Sequence, residues 1–306
     1  MKKAGALRRD LHLNGSLYLM VLPVVAFYIL FHYLPMSGVI IAFKNYKPAK
    51  GVFGSAWAGM GGFQHFHDFF TNFYFYRTLR NTLLINLYTL LFGFPAPIVF
   101  ALLLNEVKFR PFKRAVQTVS YFPHFISLVV VCGMLTEFCL SDGLFNQIRA
   151  LFGLSPKPLL QDPLLFRTIY VSSGVWQTVG WSSIVYLAAI AGIDQGLYEA
   201  AALDGAGRWR CMWHITLPGL KQTVVVLLIM QIGKMMNVSA DKIILLYNNS
   251  TMETADVISS YVYRRGLLEL NWSFSTAVGL FNSVINCALV VGANAMSRRL
   301  TESSLF

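Results

Sequence analysis

The residues able to do chemistry in this chain fall into two groups. In the first, Gln231, Lys234, Asn237, Asp241 and Lys242 share an apolar run near 222–246. At 100° per residue they cover about 140° of a helix. A charge at the bilayer centre costs about 3 kcal/mol, so such a face turns to a cavity or a partner. The chemistry on offer is recognition: ammonium and amide groups that hold a polar solute by hydrogen bonds and charge. The competing reading is a Lys–Asp pair that locks helices together. Trp176, Gln177, Trp181 and Tyr186 on a second apolar run, and Asn282 and Asn286 on a third, extend the same chemistry. Trp and Tyr faces stack on sugar rings, although interfacial anchors use the same residue types.

The second group is Glu199-Ala200-Ala201-Ala202-Leu203-Asp204-Gly205, followed by Ile215-Thr216-Leu217-Pro218. This is a polar, glycine-broken insert between apolar runs. Small alanines beside an acid let another protein surface come close. Asp204-Gly205 marks a turn after a short helix, and Leu217-Pro218 is expected to end the insert, because a residue before proline is biased away from helix. Trp209 and Trp213 are four apart and form one apolar knob, suited either to docking or to packing back on the membrane helices.

Catalysis has no foothold. Gly233-Lys234 lacks the upstream glycine and the hydroxyl of a phosphate loop. His65 and His67 are two apart and point to different sides of a helix, so no metal site is expected. The chain is read as a non-catalytic subunit with no cofactor of its own. It takes its energy from a partner or from an ion gradient.

These groups need a membrane scaffold. The chain has 306 residues, is 56% hydrophobic and is only 13% charged, too apolar for a soluble domain. Six apolar runs, roughly 17–43, 79–104, 115–139, 168–193, 222–246 and 274–296, are long enough to cross a bilayer. They are continuous rather than alternating, which excludes a β-barrel. The fold class is therefore an all-α membrane protein with six transmembrane helices. The first run is too long for a signal-peptide core and is read as a retained helix. Pro95 and Pro97 are expected to kink the second helix.

Basic residues set the orientation. Lys2, Lys3, Arg8 and Arg9, then Lys108, Arg110, Lys113 and Arg114, then Arg208, Arg210 and Lys221, then Arg298 and Arg299 occupy the short segments on one side. That side is assigned to the cytoplasm. Residues 1–16 then form a cytoplasmic segment, 17–296 the transmembrane domain with a cytoplasmic loop at 194–221, and 297–306 a cytoplasmic tail. The net charge of +11 suits attraction to anionic lipid. It is spread over both faces, which argues against nucleic acid. No cysteine lies in an outer loop, so no disulfide framework is implied.

The insert resembles the Glu-Ala-Ala-x3-Gly-x9-Ile-x-Leu-Pro loop of the binding-protein-dependent ABC transporter permeases, with every fixed position matched by Glu199, Ala200, Ala201, Gly205, Ile215, Leu217 and Pro218. Four further stretches resemble one branch, the LplB-type polysaccharide permeases. They are Phe31-His32-Tyr33-Leu34-Pro35-Met36, Ala42-Phe43-Lys44-Asn45-Tyr46, Tyr121-Phe122-Pro123-His124-Phe125-Ile126-Ser127 and Ser273-Phe274-Ser275-Thr276-Ala277-Val278-Gly279-Leu280-Phe281-Asn282. That branch is similar to the alginate-importer permeases and to the larger maltose-transporter permeases.

The resemblance implies a type I importer subunit in the bacterial inner membrane. It implies pairing with a second, homologous permease, two ATPase subunits that carry ATP and Mg, and an extracytoplasmic solute-binding protein. Glu199, Ala200, Ala201, Asp204, Gly205, Trp209, Trp213, Leu217 and Pro218 would then couple to the ATPase. The implied cargo is an oligosaccharide, either a carboxylate-bearing one such as an alginate fragment or a neutral one. An ion-gradient-driven secondary transporter is the alternative, and the insert argues against it.

Overall fold

The structure is a computed structural model that describes residues 13–301. The basic N-terminal stretch, residues 1–12, and the end of the tail, residues 302–306, both assigned above to the cytoplasm, lie outside the described residues. Those described are helical apart from connections, and the one extended pairing among them is an isolated antiparallel bridge between Lys44 and Trp57.

The chain divides into two units. The first holds residues 13–70 and 265–280. Helix α1 (Gly15–Tyr28) continues through a π turn and a 3-10 turn to Phe43, and none of the residues of α1 is buried. The phenylalanine-rich stretch after it forms a helix over Gln64–Phe70. Phe69 is fully buried there, 6.1 Å from Phe274.

The second unit holds residues 71–264 and 281–301, and it carries the polar groups. Its helices are α2 (Tyr74–Tyr88), α3 (Pro95–Glu106), α4 (Arg110–Tyr121), α5 (Leu128–Phe138), α6 (Pro163–Ala191), α7 (Gln195–Leu203), α8 (Arg208–Cys211), α9 (Lys221–Ile232) and α10 (Ala240–Leu246). The last helix, α11 (Trp272–Thr301), enters it at Phe281. By length and composition three helices suffice to cross a membrane: Gly15–Phe43, Tyr74–Glu106 and Trp272–Arg299. The number rises to five at most when each of two bent pairs counts as one span. The run 168–193 lies in the 29-residue α6, whose serines, Gln177 and Arg167 dilute its apolar character.

Two expected helices are interrupted. The run 115–139 bends by 99° between Phe125 and Leu128. Pro123 has no N–H to continue the ladder, and Ser127 caps the next helix by accepting a hydrogen bond from the Val130 amide at 3.4 Å. The run 222–246 is not one helix either. α9 ends at Ile232, residues 233–239 are turn and extended chain, and Ser239 caps α10 from the Lys242 amide. The uniform 100° step assumed for the polar face therefore fails after residue 232.

Leu217-Pro218 stands at the end of the insert, where the chain bends by 56° between Gly219 and Lys221, but the residue before the proline does not break the helix. Leu217 is helical, and the helix runs through the proline to Gly219. The same device occurs three times: π turns at Ile29–Tyr33, Thr89–Gly93 and Met212–Thr216 each end two residues before Pro35, Pro95 and Pro218. A proline cannot donate to the carbonyl four residues back and clashes with it. Widening the preceding turn moves that carbonyl to a later donor. Pro95 is thus absorbed inside a stretch that passes as a single helix, Tyr74–Glu106.

Packing fixes α6 as the centre of the second unit. Phe166, Tyr170 and Val171 join Ile85 and Val131 in one buried cluster, and Tyr186 and Ile190 join Ala101 and Leu220 in another. At Gly180 a Cβ would lie 2.3 Å from the Ser120 carbonyl oxygen, so α4 and α6 meet backbone to backbone. α6 begins on Asp162, which accepts from the Leu164 amide. The Lys157 ammonium, 2.5 Å away, holds the Asp162 carboxyl below its ordinary range.

Near the start of α2, Asp256 is fully buried and binds three side chains. Arg264 Nη2 lies 2.7 Å and Arg77 Nη2 3.3 Å from its Oδ2, and Ser260 Oγ donates to its Oδ1 at 2.8 Å. Asn81 donates to the Glu253 and Asp256 carbonyls and accepts from Arg167. The connection between α10 and α11 is therefore tied to α2 and α6 by hydrogen bonds, those of the arginines charge-assisted.

A polar cavity and a presented loop

Inside the second unit α2, α3, α6, α9 and α10 enclose a cavity of about 720 Å³. Its polar lining comes from Asn86 and Thr89 on the α2 side, Tyr170, Gln177, Thr178 and Trp181 on α6, and Gln231, Lys234, Asn237 and Lys242 around the break. Unwound backbone at membrane depth is tolerated where it lines such a space, and the break meets that condition.

Of the residues the sequence placed on the solute path, Gln177, Trp181, Tyr186, Gln231, Lys234 and Asn237 line this cavity. The other four lie elsewhere. Trp176 is one residue from Gln177, hence 100° around α6. It lines a separate apolar groove with Ala115, Val116, Val119, Ser120, Pro123 and Val179. Asp241 is exposed in the first turn of α10 and forms no ion pair with Lys234 among the described residues. Asn282 and Asn286 instead bond to Asn237, each donating through Nδ2 to its Oδ1 at 3.0 Å.

Individual lining groups are held firmly. Gln177 donates to the Ile126 carbonyl at 3.2 Å, in the bend after α4. Trp181 is stacked by His124 at 4.6 Å and met edge-on by Phe125. Lys242 is buried, donates to the Tyr170 carbonyl at 2.9 Å, and lies 4.6 Å from the Tyr170 ring centroid. A buried ammonium over an aromatic face is stabilised by the ring quadrupole. The sequence reading missed the α2 contribution. Its signal was the repeat of Thr78, Asn81, Thr82, Asn86 and Thr89 at helical spacing.

The insert is two short helices joined by a left-handed turn. Asp194 caps α7 by accepting from the Gly196 amide at 2.9 Å. α7 ends with Gly205 at φ +72°, while the Ala206 amide returns to the Ala201 carbonyl at 2.9 Å, a pattern in which glycine is preferred. Tyr198 and Thr216 hydroxyls meet at 2.9 Å and tie α7 to the second helix. Glu199, Ala200 and Asp204 are exposed. Leu203 is 91%, Trp209 67% and Trp213 62% exposed. The two tryptophans therefore do not pack back on the chain, and the loop carries an unpartnered apolar surface.

Comparison with known proteins decides the family. Residues 73–302 match the model described as the binding-protein-dependent transport system inner membrane component. The chain belongs to this family. Protein LplB of Bacillus subtilis (strain 168) is 43% identical over 303 residues, which covers 99% of this chain and 93% of the relative. The polygalacturonan/rhamnogalacturonan transport system permease protein YteP of the same organism is 43% identical over 291 residues, covering 95% and 90%. In structure, the chain is similar to one in a bacterial ABC transporter involved in the import of the acidic polysaccharide alginate. The TM-score is 0.88 at 43% identity, covering 97% of this chain and 99% of that one. A second such structure, in complex with alginate pentasaccharide-bound periplasmic protein, gives 0.89 at 42% identity with the same coverage. The present chain is thus an all-α, membrane-spanning permease subunit of an ABC importer of the inner membrane, and the secondary-transporter alternative falls away.

Proposed function

We propose that the chain forms half of the path by which an oligosaccharide, an acidic one by preference, enters the cell. The observation that carries this reading is the convergence of Gln177, Trp181, Gln231, Lys234 and Asn237 on one cavity. Two relatives are named for acidic polysaccharides, and Lys234 and Lys242 on the lining give that chemistry a physical basis. A cation beside a low-dielectric cavity attracts a carboxylate more strongly than it would in water. The second permease supplies the other half, and a solute-binding protein delivers the cargo from outside. The proposed membrane domain is 17–296, with six spans. Two ATPase subunits, which carry ATP and Mg, dock on 194–221 through Glu199, Ala200, Ala201, Asp204, Gly205, Trp209, Trp213, Leu217 and Pro218.

The test is transport by the whole complex in proteoliposomes, with a uronate oligosaccharide and its carboxyl-reduced counterpart. Lys234→Met should lower uronate transport about tenfold or more and leave the neutral sugar nearly unchanged, as loss of one charge-assisted bond predicts. Equal loss for both sugars, or none, would make Lys234 structural and favour a neutral cargo held by Gln231 and Asn237.

Orientation has its own check. Cys211, half-buried at the end of α8, should react with a membrane-impermeant thiol reagent from the cytoplasmic side only. The exposed Cys287 is first replaced by Ser to clear the background. Labelling of Cys211 from outside would invert the assigned topology.

A further inference from the structure

We infer that Asn282 and Asn286 are positioning residues that fix the polarity of Asn237. The broken fifth span then offers the cavity donors at Lys234, Asn237 and Lys242, and this face selects solutes rich in acceptor oxygens, uronate carboxylates above all. The inference rests on the transport path proposed above.

The amide orientations follow from backbone anchors. The Met236 amide donates to Asn286 Oδ1 at 3.1 Å. A backbone N–H can only donate, so the oxygen of Asn286 is fixed there and its Nδ2 is the end that reaches Asn237. Asn282 Nδ2 donates to the Met236 carbonyl at 3.1 Å. A carbonyl can only accept, so the nitrogen of Asn282 is likewise fixed beside Asn237. Two N–H donors therefore converge on Asn237 at 3.0 Å each. Asn237 must answer with Oδ1, whose two lone pairs are then used. The reverse rotamer would set N–H against N–H on both sides.

Asn237 is exposed on the cavity lining. With its oxygen committed to α11, its Nδ2 has no partner among the described residues and both hydrogens are free to donate. Lys234 and Lys242 are ammonium groups and also only donate. Asn282 Oδ1 is buried without a partner. An orphaned buried acceptor is costly, and a leucine packed there would avoid it. The orphan is accounted for if the nitrogen of Asn282 is what the site needs. A carboxylate only accepts and suits this lining. A neutral hydroxyl also carries a hydrogen, which Lys234, Asn237 and Lys242 cannot accept.

The test compares Vmax/KM for the uronate oligosaccharide and its carboxyl-reduced counterpart in one preparation, so partial misfolding cancels in the ratio. Asn282→Asp replaces a donor with an acceptor, and Asn286→Asp does the same at the second site. Each sets a carboxylate oxygen against Asn237 Oδ1, so that its polarity is no longer fixed from both sides, and should lower the uronate-to-neutral ratio about tenfold. Asn237→Ala should lower it similarly, and the double variant Asn237→Ala/Asn282→Asp should add nothing further. Equal loss for both sugars in Asn282→Asp and Asn286→Asp would show a merely structural role and overturn the inference. So would an unmoved ratio in those two variants, or in Asn237→Ala, while Lys234→Met remains selective. If Lys234→Met is silent as well, the path reading falls with it.

Discussion

Gly205→Pro should abolish coupled transport while leaving the membrane helices in place. Gly205 sits at φ +72°, and proline is locked near −65°. The turn between α7 and α8 cannot form with that residue, and the Ala206-to-Ala201 bond that closes α7 is lost with it. A backbone mismatch of this kind costs about 3 kcal/mol or more, roughly a hundredfold loss of the docking-competent loop. The exposed knob of Leu203, Trp209 and Trp213 would then face the wrong way for a partner. Gly205→Ala keeps the φ accessible at a cost of about 1–2 kcal/mol and should give an intermediate phenotype. The measurement is co-purification of the ATPase together with ATP hydrolysis stimulated by binding protein and sugar. Full stimulation in Gly205→Pro would remove 194–221 from the coupling role.

Asp256→Ala should be the most destabilising single change in the connection between α10 and α11. It strands Arg77 and Arg264, whose guanidinium groups both bond to one oxygen of a fully buried carboxylate. Breaking a buried pair from one side costs about 3–5 kcal/mol. The arginines retain some access to solvent, which argues for the lower end. Thermal unfolding in detergent should show a clear drop in midpoint. The triple replacement Asp256→Ala, Arg77→Met, Arg264→Met should be less damaging than the sum of its parts. Simple additivity would show that the three residues do not act as one network.

The sequence was legible where physical chemistry works locally. The apolar runs needed only length, and the insert needed only alanine, aspartate and glycine in order. Its turn at Asp204-Gly205 appears where the residue types put it, with Gly205 left-handed. What failed was the assumption of unbroken helices. Pro218 reads as a stop, yet a π turn carries the helix through it. Ser127 and Ser239 are cap residues inside apolar runs, and each marks a break that hydropathy averaging hid. Most of the solute-path residues still converge, because the break itself brings Lys234 and Asn237 to the cavity. Trp176 departs because it lies 100° from Gln177 on the side facing α4, and Asn282 and Asn286 because amides bond as readily to protein as to cargo.

The gap at 233–239 also sets an order for biogenesis. α9 has 12 residues and α10 has seven, lengths of about 18 Å and 10 Å. The hydrocarbon core is about 30 Å thick. Neither piece can hold a place across the lipid alone, and the backbone between them has polar groups that oil cannot satisfy. The amides that hold that backbone, Asn282 and Asn286, belong to α11, which is synthesised after it. The least self-sufficient part of the bundle is therefore finished only after α11 has followed it out of the ribosome.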